Sequence, residues 1–221
     1  MDKLTEFLIK PFLTEGVRDP GIFKAIFLAG GPGSGKSYVA GQIFGIPKKV
    51  NVSYSGLKSV NSDTEFEFLL KKYGFATFGT GKLDIDKWPD EVFKMVAGGD
   101  EDTPPGTHGA ITVRTKAKQL TKQRKKLYMQ GRLGMIIDGT GKNYGKIEKQ
   151  VKQLRSVGYD CYMVFVNTSK EVALDRNNAR ARKLPNDMVT KMWEEVQQNI
   201  GKFQRLFTAK RFEIVDNSKY G

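Results

Sequence analysis

One octapeptide constrains this chain more than any other segment: Gly30-Gly31-Pro32-Gly33-Ser34-Gly35-Lys36-Ser37. A compact apolar run, Ala25 to Ala29, precedes it, and Tyr38-Val39-Ala40 opens a helical pattern after it. The spacing predicts a buried strand, a tight turn and a helix. Glycines let successive backbone N–H groups converge on one point, where a Cβ would obstruct them. The helix that follows aims its positive end at the same point. The segment matches G-x-x-x-x-G-K-[ST] in full, the pattern of a loop that cradles phosphates. Gly31, Gly33, Ser34, Gly35 and Tyr38 then belong to the nucleotide site. Lys36 is expected at the β- and γ-phosphates, and the Ser37 hydroxyl at a Mg²⁺ ion. The bland alternative is a glycine-rich turn that binds nothing.

The rest of the chain alternates strand and helix patterns. Strands are predicted at 58–63, 133–137, 161–166 and 212–215. Helices are predicted at 144–157 and 170–183, and Asn186 is the expected cap of a last helix. Its apolar stripe is Met188, Val189, Met192, Trp193, Val196, Ile200, Phe203 and Phe207. Such alternation predicts an α/β fold with a mostly parallel sheet. Ligands of such sheets bind beyond the carboxyl ends of the strands. That rule puts the phosphate loop, Asp63, Asp138 and the loop after Val215 along one edge.

Each of those positions suits a chemical role. Asp63 ends the predicted second strand, where a carboxylate can take or orient the proton of an acceptor hydroxyl; capping of the following helix is the alternative. Asp138 ends the third predicted strand before Gly139-Thr140-Gly141, where an acid can hold a water on Mg²⁺; an Asp-Gly turn is the alternative. Arg176, Arg180 and Arg182 cluster before Pro185, and arginines there can neutralise charge on a transferring phosphoryl group. A solvated basic helix face is the other reading. Asn217, just past the last strand, suits the lining of an adenine pocket or a plain strand end.

Composition narrows the partners. With 37 Lys+Arg and 24 Asp+Glu in 221 residues, the net charge of +13 points to a polyanion. The stretch from Arg114 to Arg132 holds Lys116, Lys118, Lys122, Arg124, Lys125 and Lys126 and no acid. It is a candidate track for a nucleic-acid strand at Lys118, Lys122, Arg124, Lys125 and Lys126; a soluble basic face is the alternative. Tyr73, Phe75, Phe78 and Trp88 offer rings for stacking on a base, or for a core. The single cysteine, Cys161, excludes an internal disulfide framework and a cysteine-based structural zinc site, and the single histidine, His108, a multi-histidine metal centre. No apolar run approaches the ~20 residues a membrane span needs, and the first residues lack a secretory pattern, so a cytoplasmic setting and no membrane partner are expected.

The pieces GGPGSGKS, VNSD, MIIDGTGKN, RNNARARKLP and IVDNS, in this order, resemble the phosphate-loop kinases related to zeta toxins and phage polynucleotide kinases. The resemblance spans about residues 24–218, with 71–126 poorly matched. It implies a five-stranded mostly parallel sheet with helices on both faces. It implies ATP and Mg²⁺, a hydroxyl as acceptor, Lys36 and Ser37 at the phosphates and metal, and Asp63 as base. It also implies Arg176 and Arg180 or Arg182 as lid arginines, with the Asn217 loop near adenine. Acceptors in that group range from nucleic-acid 5′-hydroxyls and modified bases in phage DNA to UDP-activated amino sugars. The expected organisation is an arm at 1–20 and a kinase domain at 21–221, with an acceptor-site insertion at 71–126 and a lid at 170–185. The expected function is a kinase acting on a nucleic-acid hydroxyl, with a nucleotide or nucleotide sugar as the alternative acceptor. Leu13-Thr14-Glu15-Gly16 resembles the cleavage sites of prohead proteases in large tailed phages. That leaves a virion-associated, nucleotide-binding assembly protein as a further alternative.

Overall fold

A computed structural model describes residues 22–46, 52, 53, 55–72, 112–179 and 184–219. The arm at 1–20, the stacking aromatics, His108, Arg180 and Arg182 lie outside the described residues, as does most of the 71–126 insertion. Two compact units make up the chain. The first takes residues 1–60, 128–177 and 185–221, and the second takes 61–127 and 178–184.

The first unit is built on β1 (Lys24–Ala29), β2 (Lys58–Val60), β3 (Met135–Asp138), β4 (Asp160–Asn167) and β5 (Phe212–Asp216). Their order is β2-β3-β1-β4-β5, and every pairing is parallel. The expected α/β architecture is therefore present. Strand side chains alternate between two faces. Ala25, Phe27, Met135, Ile137, Met163 and Phe165 enter one core cluster, which is completed by helices α4 (Tyr144–Ser156), α6 (Asn186–Gln197) and α7 (Ile200–Phe207). Ile26, Leu28, Ile136, Val164 and Val166 enter the other, against Val39, Ala40 and Phe44 of α1 (Lys36–Phe44). β1 is buried along its whole length, which is why it reads as a continuous apolar run. Phe165, Phe203 and Phe207 are fully buried, and each contributes about 1.5–3 kcal/mol.

The connection leaving β1 turns toward β2, whereas the one leaving β4 turns toward β5. The carboxyl ends of β1 and β4 therefore flank the crevice where open α/β sheets bind ligands. At the amino end of the sheet, Asp160 pairs with Lys24 at 2.9 Å and Arg211 at 3.0 Å. The Tyr159 hydroxyl donates to the Leu133 carbonyl at 2.9 Å, and burial raises its pKa.

Several predicted boundaries move. The second strand stops at Val60, and Asp63 belongs to α2 (Ser62–Lys72). Asn61 supplies the cap there, its Oδ1 accepting from the Asp63 N–H at 2.8 Å. Asn186 is not a cap either: it is the first helical residue, after Pro185. The long stripe from Met188 to Phe207 breaks into α6 and α7 at Gln198-Asn199, where Asn199 turns its amide onto the β3–α4 loop. The described part of the 170–183 helix is α5 (Lys170–Asn178).

In the second unit, α2 buries Phe66, Leu69 and Leu70. Most of α3 (Val113–Gln130) belongs to the same unit and buries Thr115 and Ala117.

Candidate active site

The phosphate loop leaves β1 at Gly30 and enters α1 at Lys36. Its glycines are required by packing. A Cβ on Gly33 would stand 2.2 Å from the Ala173 carbonyl oxygen of α5, and Gly33 sits at φ +76°. Gly35 precedes α1 in the left-handed region, φ 82°, and no side chain caps the helix. The first turn of α1 therefore keeps backbone donors for an anion. Ser34 is buried, and its Oγ has no hydrogen-bond partner among the described residues. A glycine cradle, an uncapped helix start and an orphaned buried hydroxyl together fit a phosphate group. Gly33→Ala should strain the backbone by about 1–3 kcal/mol and push the loop off α5. The expected result is a lower melting temperature and abolished nucleotide binding, both checked by thermal melts with and without ADP.

Lys36 lies folded along its own loop, Nζ donating to the Gly30 carbonyl at 2.7 Å and the Gly31 carbonyl at 3.4 Å. Ser37 and Tyr38 are exposed at the start of α1. Asp138 ends β3 opposite Leu28 of β1, half-buried. The turn after it is tied to the loop, because the Gly30 N–H donates to the Thr140 carbonyl at 3.1 Å. The carboxyl edge of this unit thus gathers the phosphate loop, Asp138, Arg176 and Asn217.

Arg176 and Asn217 meet at the far side of the loop. Arg176 Nη1 donates to the Asn217 carbonyl at 2.9 Å, and the Asn217 amide donates to the Ser34 carbonyl at 2.8 Å. The hydroxyl and N–H of Ser218 both donate to Asp216, holding its carboxyl below the usual range.

Asp63 is in the second unit, where its carboxylate accepts from Arg114 Nη1 at 2.6 Å. Arg114 also lies 5.0 Å over the Phe66 ring. Arg124 pairs with the buried Glu65. Lys122 and Lys126 are exposed along α3, whereas Lys118 and Lys125 are partly covered.

Sequence reasoning missed three contributors. The Trp193 indole N–H donates to the Thr168 carbonyl at 2.9 Å, and its Cα lies 3.7 Å from where a Gly31 Cβ would be. The periodicity assigned Trp193 to a core stripe; the polar handle of a partly buried indole was the available signal. Asn199, 5% exposed, donates to the Gly141 and Lys142 carbonyls at 3.1 and 2.8 Å. A polar residue interrupting an apolar stripe was its signal. Ser218 gave none.

The sequence profile of the zeta toxin family matches residues 94–220. The chain belongs to the zeta toxin family. No curated protein sequence matches it. Among solved structures, the Pnkp1/Rnl/Hen1 RNA repair complex superposes with TM-score 0.52 at 19% identity, over 83% of this chain and 47% of that one. A structure from the PezAT toxin–antitoxin system of Streptococcus pneumoniae gives 0.51 at 14%, over 98% and 79%. The AvrRxo1-ORF1:AvrRxo1-ORF2 complex with sulphate ions gives 0.52 at 15%, over 98% and 63%. The chain spans about half the length of the first of these. At these identities the likeness is one of fold. The family match and the fold agree on an α/β unit built around a phosphate loop. Among the described residues, no helix is long and apolar enough to cross a membrane.

Proposed function

We propose that this zeta toxin family member is an ATP-dependent kinase that transfers the γ-phosphate to a hydroxyl of a nucleic acid, a 5′-OH or a modified base. One observation carries the reading: an intact phosphate loop whose glycines, uncapped helix and buried Ser34 hydroxyl suit a triphosphate. In the reaction the acceptor oxygen bonds to the γ-phosphorus as the bond to the β–γ bridging oxygen breaks. The acceptor proton passes to the Asp63 carboxylate, and ADP leaves. Lys36 moves from its loop carbonyls to the β- and γ-phosphates. Arg180 and Arg182, as lid arginines, neutralise the equatorial oxygens. Among the described residues no cluster of three or more His, Cys, Asp and Glu side chains stands together. Ser37 and Asp138 fit Mg²⁺ held mainly by the nucleotide's own phosphates and water. The ion would supply charge neutralisation across the phosphates.

The net charge of +13 and the exposed Lys122 and Lys126 of α3 support a nucleic-acid acceptor. The RNA repair complex that shares the fold is in keeping with it. A second reading, a small acceptor such as a nucleotide or nucleotide sugar, is favoured by two ion pairs. Arg124 of the proposed track is engaged by Glu65, and Arg114, at the start of the same basic stretch, by Asp63.

Labelled ATP offered with oligonucleotides, modified DNA and UDP-sugars tests the choice. Label on a nucleic acid is the expected result, label on a UDP-sugar selects the second reading, and free phosphate alone favours an assembly role. Reversing charge at Lys122, Lys125 and Lys126 should weaken oligonucleotide binding and flatten its salt dependence, by roughly 0.7–0.9 in log–log slope for each phosphate left without its cation. Arg124 stays intact in this variant, because an acid there would face Glu65. Unchanged binding in a salt titration would remove α3 from the track.

A further inference from the structure

Asn217 joins three parts of the sheet's carboxyl edge. Its amide donates to the Ser34 carbonyl inside the phosphate loop at 2.8 Å. Its own carbonyl accepts from Arg176 Nη1 at 2.9 Å and from Thr168 Oγ1 at 3.3 Å. Its N–H donates to the Asn167 carbonyl at 2.9 Å, at the end of β4. Arg176 Nη2 reaches the Lys219 carbonyl at 3.5 Å. A Cβ on Gly35 would stand 2.3 Å from Asn217 Nδ2 and 3.6 Å from Arg176 Nη1.

The consequence follows from peptide geometry. In a planar trans peptide the C=O of one residue and the N–H of the next point in opposite directions. Holding the Ser34 carbonyl against Asn217 therefore turns the Gly35 N–H away from Asn217. That N–H immediately precedes the uncapped start of α1. Arg176 fixes the Asn217 carbonyl, and so the residue whose amide holds the loop.

We infer that Arg176 and Asn217 form a brace that sets the phosphate loop for the diphosphate portion common to ADP and ATP. Arg176 is thus a positioning residue for nucleotide binding, where its place in the sequence predicts a lid arginine at the transferring group. This inference rests on the nucleotide-binding reading above. A brace acts before chemistry, so its loss weakens ADP as much as ATP. An arginine acting on the transferring phosphoryl group would leave ADP affinity intact and lower kcat alone.

The test is a fluorescence titration of the full chain with mant-ADP, on wild type, Asn217→Ala, Arg176→Ala and the double variant. Each single change is expected to weaken binding about tenfold, near the upper end for one neutral hydrogen bond and the lower end for one with a charged partner. Because both act through one bridge, the double variant should bind little more weakly than either single variant, not the roughly hundredfold of independent effects. The near-isosteric Asn217→Asp guards against misfolding, checked by a thermal melt. It keeps the backbone bonds but turns an acceptor toward the Ser34 carbonyl, and should weaken mant-ADP at least tenfold. Unchanged ADP affinity in Arg176→Ala or Asn217→Asp, or a multiplicative double variant, overturns the brace alone. Wild type failing to bind mant-ADP overturns the nucleotide reading, and the brace with it.

Discussion

Lys36→Ala is expected to abolish phosphoryl transfer, with a loss of about 10²–10³-fold or more in kcat, and to leave the fold standing. The magnitude is that of removing one charge aimed at a transition-state oxygen in a partly desolvated site. The fold should survive because the Lys36 ammonium lies along its own loop, where it donates to the Gly30 and Gly31 carbonyls. The core beneath, Ile26 to Ala29 and Val39 to Phe44, does not depend on it. Lys36→Arg should not rescue the reaction, since a planar fork does not replace a compact ammonium in a loop of this curvature. Label transfer from ATP, measured beside a thermal melt, checks both halves. Turnover within tenfold of wild type, with the fold intact, would take the phosphate loop out of the reaction.

The second large effect is expected at Asp63. Asp63→Asn should lower transfer by about 10²–10⁴-fold, the usual contribution of a general base, while nucleotide binding stays at the wild-type level. The ion pair with Arg114 offers a competing explanation, namely that Asp63 serves only to hold α3 against α2. The two separate cleanly. Arg114→Gln removes the ion pair and keeps the carboxylate. If Asp63 is the base, Arg114→Gln retains most of the transfer and Asp63→Asn does not. If the ion pair is the whole role, both variants lose the same activity. With the Asp63 side chain 48% exposed, the pair contributes only about 0–1 kcal/mol after solvent screening. Both variants should therefore fold, and single-turnover transfer decides between the explanations.

Much of the first unit was legible in the sequence because its signals are local. Ala25 to Ala29 reads as a doubly buried strand since every side chain meets a neighbour. Gly30 to Ser37 reads as a phosphate loop since only glycine tolerates the backbone at Gly33 and Gly35. The end of β2 was misjudged because Lys58 to Asp63 has no apolar alternation beyond Val60, and the Asn61 side chain starts a helix there. The break between α6 and α7 was hidden because Val196, Ile200 and Phe203 keep helical spacing across it. What interrupts the helix is Asn199 reaching the Gly141 and Lys142 carbonyls, which lie 57–58 residues away in the chain.

The sequence by itself determined the α/β class, the phosphate loop and the family, because periodicity and a glycine-lysine turn are encoded in adjacent residues. Only the tertiary structure decided the strand order β2-β3-β1-β4-β5. It also decided the engagement of Asp63 by Arg114, and that of Ser34 by Asn217 across 183 positions. Pairings between residues so distant in the chain leave no local pattern; they exist only once the strands are paired and the helices packed.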